Sequence, residues 1–274
     1  MQSSGSWVNK PITFYLNLMK KISALFFLSG FLLSLFADDH AEKPLKGLLI
    51  TGGGHHDYGF QQNVIMEGIS QRLPVKWTVM FDMDPRESKS KLSKEGWANG
   101  YDFVFYNHCF AREDDKAFID SIVKVHEGGV PAIAMHCAMH SYHIVIRDQK
   151  PEEKSWNKLM GVHSHGHGPH VPFDVTKVSE HADHPAIKDM PNKWRTPKGE
   201  LYFIHKVLDG TKVLAYGDNG PKHKPEKPQA CIWVNQYGKG KVFATTIGHH
   251  NETVSTKEFL DLITNGVRWA TGHI

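Results

Sequence analysis

Cysteine is scarce in this chain, and the three present, Cys109, Cys137 and Cys231, include no CxxC pair. That spacing excludes zinc fingers, thioredoxin-type redox motifs and a dense disulfide framework. An odd number leaves at least one thiol free or paired between chains. Cys109 and Cys137 each follow a predicted strand and are open to two readings, a disulfide in an exported protein or a pair of small buried apolar groups. Also missing are a Walker lysine, a GxGxxG spacing, an internal repeat, a low-complexity tract and a strong charge of either sign. Without a basic stripe, nucleic acid is an unexpected partner, and without a basic amphipathic helix so is stable contact with a membrane surface.

What is present begins with a leader. Met19-Lys20-Lys21, the apolar run Ile22 to Phe36 and the small residue Ala37 read as a secretory signal peptide over residues 19–37, with residues 1–18 as an upstream extension. The apolar run is short for a membrane span, an uncleaved anchor being the alternative. Removing residues 1–37 takes away Lys10, Lys20, Lys21 and no acid, so the formal charge falls from +3 to zero. Export to the periplasm or the exterior is the expectation. A polar linker, residues 38–46, then leads into one domain, residues 47–272.

Within that domain short apolar runs alternate with helical patterns, which predicts an α/β fold with a mostly parallel sheet flanked by helices. Strands are expected at Gly47 to Thr51, Lys76 to Phe81, Tyr101 to Tyr106 and Val130 to Met135. Ile65, Ile69 and Leu73 form one buried helical stripe between them, and Phe118, Ile119, Ile122 and Val123 form another. From Asn157 to Pro172 the pattern breaks into a histidine- and glycine-rich loop. Strands resume at Phe173 to Val178, Leu201 to Lys206 and Thr211 to Tyr216. A C-terminal β-hairpin, Cys231 to Val234 and Val242 to Ile247 around Tyr237-Gly238-Lys239-Gly240, and a closing helix capped by Ser255-Thr256-Lys257-Glu258 complete the domain.

Ligands of a parallel sheet bind beyond the carboxyl ends of its strands. Those ends carry Gly52-Gly53-Gly54-His55-His56-Asp57, then Asn107-His108-Cys109, then His136-Cys137 with His140, and later His249-His250. Histidine at four strand ends suggests convergence on one site. His55, His56 and Asp57 stand where a phosphate loop would carry small residues or lysine, so a polar ligand is favoured over a nucleotide; the plain alternative is that His55 or His56 caps the next helix. Ala134-Met135-His136-Cys137-Ala138 has the outline of a strand-to-helix elbow with histidine at its apex, which points to proton transfer or metal binding in place of thiolate attack. "GVHSHGHGPH" carries His163, His165, His167 and His170; it is open to metal ligation or to a polar flap. Glu200 and Tyr202 lie in "GELYFIH", Glu200 being either a general acid/base or a surface residue.

Taken together, "GGGHHDY", "AMHCAMHSY", "HGHGPH" followed by "HPAI", "GELYFIH" and "GKGKVFATTIGHH" with a final "GVRWATG" resemble the ThuA-like, or trehalose-utilisation, family. The resemblance implies a flavodoxin-like sheet of the class I glutamine amidotransferase type in which the nucleophile is replaced, here by His136, so that glutamine hydrolysis is not expected. It also implies a carbohydrate substrate, a 3-keto sugar or disaccharide. On that basis His136, His108 and Glu200 are the candidate catalytic residues, and His55, His56, Asp57, Tyr202, His167 and His249 the candidate sugar-binding ones. A divalent transition metal is left open as a cofactor, and no nucleotide cofactor is expected. The rival readings are a non-catalytic carbohydrate binder using Trp77, Trp97, Trp156, Trp194 or Trp233 as platforms, and a metal-dependent hydrolase. Oligomeric state is not legible.

Overall fold

The computed structural model describes residues 43–142, 150 and 153–274; the leader and most of the linker lie outside these, and Leu45 and Lys46 belong to the first strand. Pro44–Ile274 forms a single unit. Its elements in chain order are β1 (Leu45–Gly52), α1 (Tyr58–Ser70), β2 (Val75–Asp82), α2 (Arg86–Leu92), β3 (Phe103–His108), α3 (Lys116–Glu127) and β4 (Ala132–Met135). A 3-10 turn (His136–His140), α4 (Ser155–Met160), β5 (Val162–His167), β6 (Asp174–Lys177), a 3-10 turn (Ser179–His181), β7 (Lys193–Arg195), β8 (Tyr202–Val207) and β9 (Lys212–Asp218) follow. The chain ends with β10 (Gln229–Tyr237), β11 (Gly240–Thr245), α5 (Asn251–Val254) and α6 (Lys257–Thr271). Among the described residues no helix is long and apolar enough to cross a membrane.

Nine strands form one sheet in the order β2-β1-β3-β4-β11-β10-β9-β6-β7. Pairing is parallel from β2 through β11 and antiparallel from there outward, so the sheet is mixed, with a parallel centre. The central strands are apolar on both sides because helices cover both faces. Leu49 packs with Ile65, Ile69, Phe259 and Ile263 under α1 and α6, while its neighbours Leu48 and Ile50 pack with Phe118, Ile122 and Trp156 under α3 and α4. The alternation of side chains along a strand makes those two separate cores.

The stretch expected as a loop from Asn157 to Pro172 is corrected. Its first part completes α4, because Trp156, Leu159 and Met160 are buried in the second core. Gly161, at φ 79°, ends that helix, and β5 then pairs with β8 as a separate two-stranded ribbon. The expected loop breakers act as ribbon irregularities: register shifts fall between His163 and His167, with Gly166 at φ 75°.

Candidate active site

The carboxyl ends of the parallel strands open onto a cavity of about 1440 Å³, reached by residues after β1, β3 and β4, by the β5–β8 ribbon and by the segment after β11. It lies where the strand order turns, between β1 and β3. The glycine triplet is required by the backbone. Gly52 and Gly53 have φ values of 130° and 100°, and a Cβ on them would sit 1.7 Å from the Asp82 carbonyl oxygen and 2.3 Å from that of Cys109. No other residue fits there.

Asp57 turns out to cap α1: its Oδ1 accepts from the Phe60 amide at 3.2 Å and its Oδ2 from Asn251 at 2.9 Å. It is exposed outside the main cavity, in a smaller hollow lined also by His55, His56 and His249, and it takes the capping role that was open for His55 or His56. His108 is also placed elsewhere. It is fully buried among Tyr106, Phe110, Tyr142 and Trp156, with its Nε2 3.0 Å from the Tyr142 hydroxyl, and does not line the cavity. Burial lowers its pKa to about 3, so it is neutral and remote from any ligand in the cavity.

His136 stands at the turn from β4 into the 3-10 helix with φ 47°, a left-handed conformation that costs a non-glycine residue about 1–3 kcal/mol. Its ring is buried one layer below the cavity surface, held by a hydrogen bond from Nδ1 to the Thr246 carbonyl at 2.7 Å. Nε2 then lies 3.1 Å from the Tyr202 hydroxyl, 3.3 Å from His249 Nδ1 and 3.1 Å from Glu200 Oε2. His249 Nδ1 is itself 3.0 Å from Glu200 Oε2.

Glu200 is the centre of the site, 5% exposed at the entry to β8. Its two oxygens face different groups: Oε2 faces His136 and His249, and Oε1 faces His170 Nε2 at 2.8 Å and His167 Nδ1 at 3.0 Å. Burial opposes its charge, yet the hydrogen bonds and charges of His136 and His249 outweigh burial and hold the carboxyl far below the ordinary carboxylate range. Burial, in turn, holds His136 below the ordinary histidine value. These two tendencies meet at one pair of atoms. With Nδ1–H given to Thr246, His136 Nε2 carries a proton only as a cation, so a neutral ring would point a lone pair at the carboxylate. The Tyr202 hydroxyl can donate to that lone pair, and a positive charge between Nε2 and Oε2 would satisfy both atoms at once.

His56 rests edge-on to His136 and His249, with ring centroids 4.8 and 4.6 Å away, and neither of its buried ring nitrogens has a hydrogen-bond partner. Burial, then repulsion from His136 and His249, lowers its pKa to about 2. His55, His167, Glu200, Tyr202 and His249 line the cavity as expected residues; His140, stacked on Tyr202 at 3.9 Å, and the rim histidine His170 join them. Among the residues not singled out, Gln61 matters most. It is fully buried in α1, donates to the carbonyls of Gly248 and His249, accepts from Asn107, and so pins the segment that carries His249. A lone glutamine in a helical stripe gives no sequence signal of that task. Cys109 and Cys137 are joined as a disulfide at the cavity wall, with Cα atoms 5.2 Å apart, and Cys231 is free and buried.

A sequence profile of the ThuA family, described as trehalose utilisation, matches residues 48–270. The chain belongs to the ThuA family. Its fold is shared with a ThuA-like protein from Parabacteroides merdae at 17% identity and a TM-score of 0.65, covering 84% of this chain and 91% of that one. A ThuA-like protein from Bacteroides uniformis is similar at 16% identity and TM-score 0.65, covering 86% and 95%. A β-galactosidase from Rahnella sp. R3 shares the fold over 80% of this chain but only 31% of its own, at 12% identity and TM-score 0.53. No curated protein matches. Membership places the ThuA chain in a family associated with carbohydrate utilisation.

Proposed function

We propose that this ThuA-family protein is an exported enzyme acting on 3-keto sugars or their glycosides in disaccharide or glycan catabolism, by histidine acid/base chemistry. The observation that carries the reading is the buried carboxylate of Glu200, shared between rim and floor histidines on a cavity large enough for a disaccharide. The order β2-β1-β3-β4-β11 supports treating the parallel part as flavodoxin-like. Cys137, next to the elbow, is tied in a disulfide and offers no thiolate, which supports chemistry other than glutamine hydrolysis.

A ketone at carbon 3 acidifies the carbon-2 proton. His170, half exposed and oriented by Glu200 Oε1 through its Nε2–H, presents Nδ1 as the general base. As the C2–H bond breaks, its electron pair forms the C2–C3 double bond and charge moves to the carbon-3 oxygen. Of the floor group, Tyr202, His136 and His249 supply the hydrogen bond or positive charge which that oxygen needs, and Glu200 Oε2 balances the charge of an imidazole that carries a proton. Return of the proton at a neighbouring carbon isomerises the sugar; expulsion of the glycosidic oxygen from carbon 1, which leaves with a proton, eliminates it. The base thus shifts from His136 and His108 to a residue that reaches the cavity.

None of the five tryptophans named as platforms for the carbohydrate-binder reading lines the cavity, so that reading would use the same polar lining without them. The test is a proton NMR time course with a 3-keto disaccharide in deuterated buffer. Loss of the carbon-2 signal is expected, slowed by about 10²–10⁴-fold in His170→Asn. Exchange no faster than in buffer alone, or an unchanged rate in His170→Asn, would reject the reading.

A further inference from the structure

We propose that His136 Nε2, His249 Nδ1 and Glu200 Oε2 form three corners of a divalent transition-metal site, with His56 beside them as the fourth donor. This deepens the reading above by naming what supplies the positive charge at the cavity floor. The three atoms lie 3.3, 3.1 and 3.0 Å from one another. Donors on a tetrahedral ion with bonds of about 2.0–2.1 Å are about 3.3–3.4 Å apart, so the triangle is already close to one face of a coordination shell. A ligand nitrogen of His56 falls within 4.8 Å of those of His136 and His249, on the ring with no partner for either nitrogen. Two imidazoles and a carboxylate, with a further histidine or a substrate oxygen completing the shell, suit zinc and its neighbours better than magnesium or calcium.

Two further observations point to the same occupant. His136 gives its remaining N–H to the Thr246 carbonyl, the outer hydrogen bond that fixes the tautomer and direction of a metal-bound imidazole. The Thr246 carbonyl holds the His136 ring, and Gln61 fixes the backbone that carries His249, before anything binds. A cation seated here removes the clash between the Nε2 lone pair and the Oε2 charge. Glu200 Oε1 remains free to orient His170, so the metal and the general base share one carboxylate without competing.

The test titrates Co²⁺ and Zn²⁺ into the chelator-stripped protein, followed by the visible d–d bands of cobalt, metal analysis and thermal stability. The expected result is one ion per chain, a rise in melting temperature, and a nitrogen/oxygen shell without sulfur in X-ray absorption. Glu200→Gln and His249→Ala should weaken binding at least tenfold while circular dichroism stays native. If His249→Ala does not fold, the near-isosteric Glu200→Gln and the wild-type absorption spectrum still decide. Absence of binding to folded protein would overturn the site. So would binding that survives both substitutions and disappears in the double variant His163→Ala/His165→Ala. A protein that binds cobalt as expected yet leaves the keto sugar untouched keeps the site and rejects the substrate; full turnover in chelator with no bound ion does the reverse.

Discussion

Glu200→Gln separates the charge of the central carboxylate from its shape. In the ion-free protein the carboxylate accepts from His249 and His170, and charge-assisted hydrogen bonds of this kind contribute about 1.5–3 kcal/mol each. The glutamine amide keeps one of them at neutral strength, about 1 kcal/mol, and its NH2 can donate to His136 Nε2 for about 1 kcal/mol more. The net loss is about 2 kcal/mol, which for a domain of this size lowers the melting temperature by about 4–8 °C. The sign of its pH dependence follows from the direction of the shift. A carboxyl held below its unfolded value of 4.5 contributes its full stability above that pH and loses it only as pH falls further. The gap between wild type and Glu200→Gln, from denaturant titrations with chelator, should therefore not shrink from about pH 8 to pH 5. A gap that closes or changes sign across that range would mean that burial wins and Glu200 is held protonated, and the charge argument at the cavity floor would fail with it.

His108 and His126 are buried and neutral, lowered by burial to about 3 and about 4, so acid should unfold the protein: stability should drop by about 2–3 kcal/mol per pH unit from pH 6 downward as the unfolded chain takes up protons, measured by urea titration at stepped pH. Tyr202→Phe removes the hydroxyl that reaches His136 Nε2 and should reduce turnover about tenfold or more at a cost of about 1 kcal/mol in stability, with unchanged turnover counting against the floor group. Gln61→Leu is nearly isosteric but frees the carbonyls of Gly248 and His249; a loss of about 2–3 kcal/mol, read by chemical denaturation, is expected from the unsatisfied groups. Thiol titration in denaturant without reductant should find one reactive group, Cys231, of the three cysteines in the chain, and all three after reduction.

The sequence by itself determined the alternation of strands and helices, because buried strands and amphipathic helices differ in hydrophobic period, and it showed that histidines gather at strand ends. It marked Gly52 and Gly53, whose backbone admits no side chain, and the elbow at His136. It was misleading wherever a residue's role depends on what lies across the fold. His108 follows a strand like His136 does, yet strand pleating sends it into an aromatic core. The histidine run from 163 to 170 reads as a loop because glycine interrupts it, and only pairing with β8 makes it a ribbon that brings His167 and His170 to Glu200. Glu200 itself could not be ranked above a surface carboxylate from its neighbours in sequence. Its four histidines come from separate parts of the chain, the 3-10 turn after β4, the end of β5, the segment before β6 and the segment after β11. Their convergence is set by strand order, which no local pattern encodes.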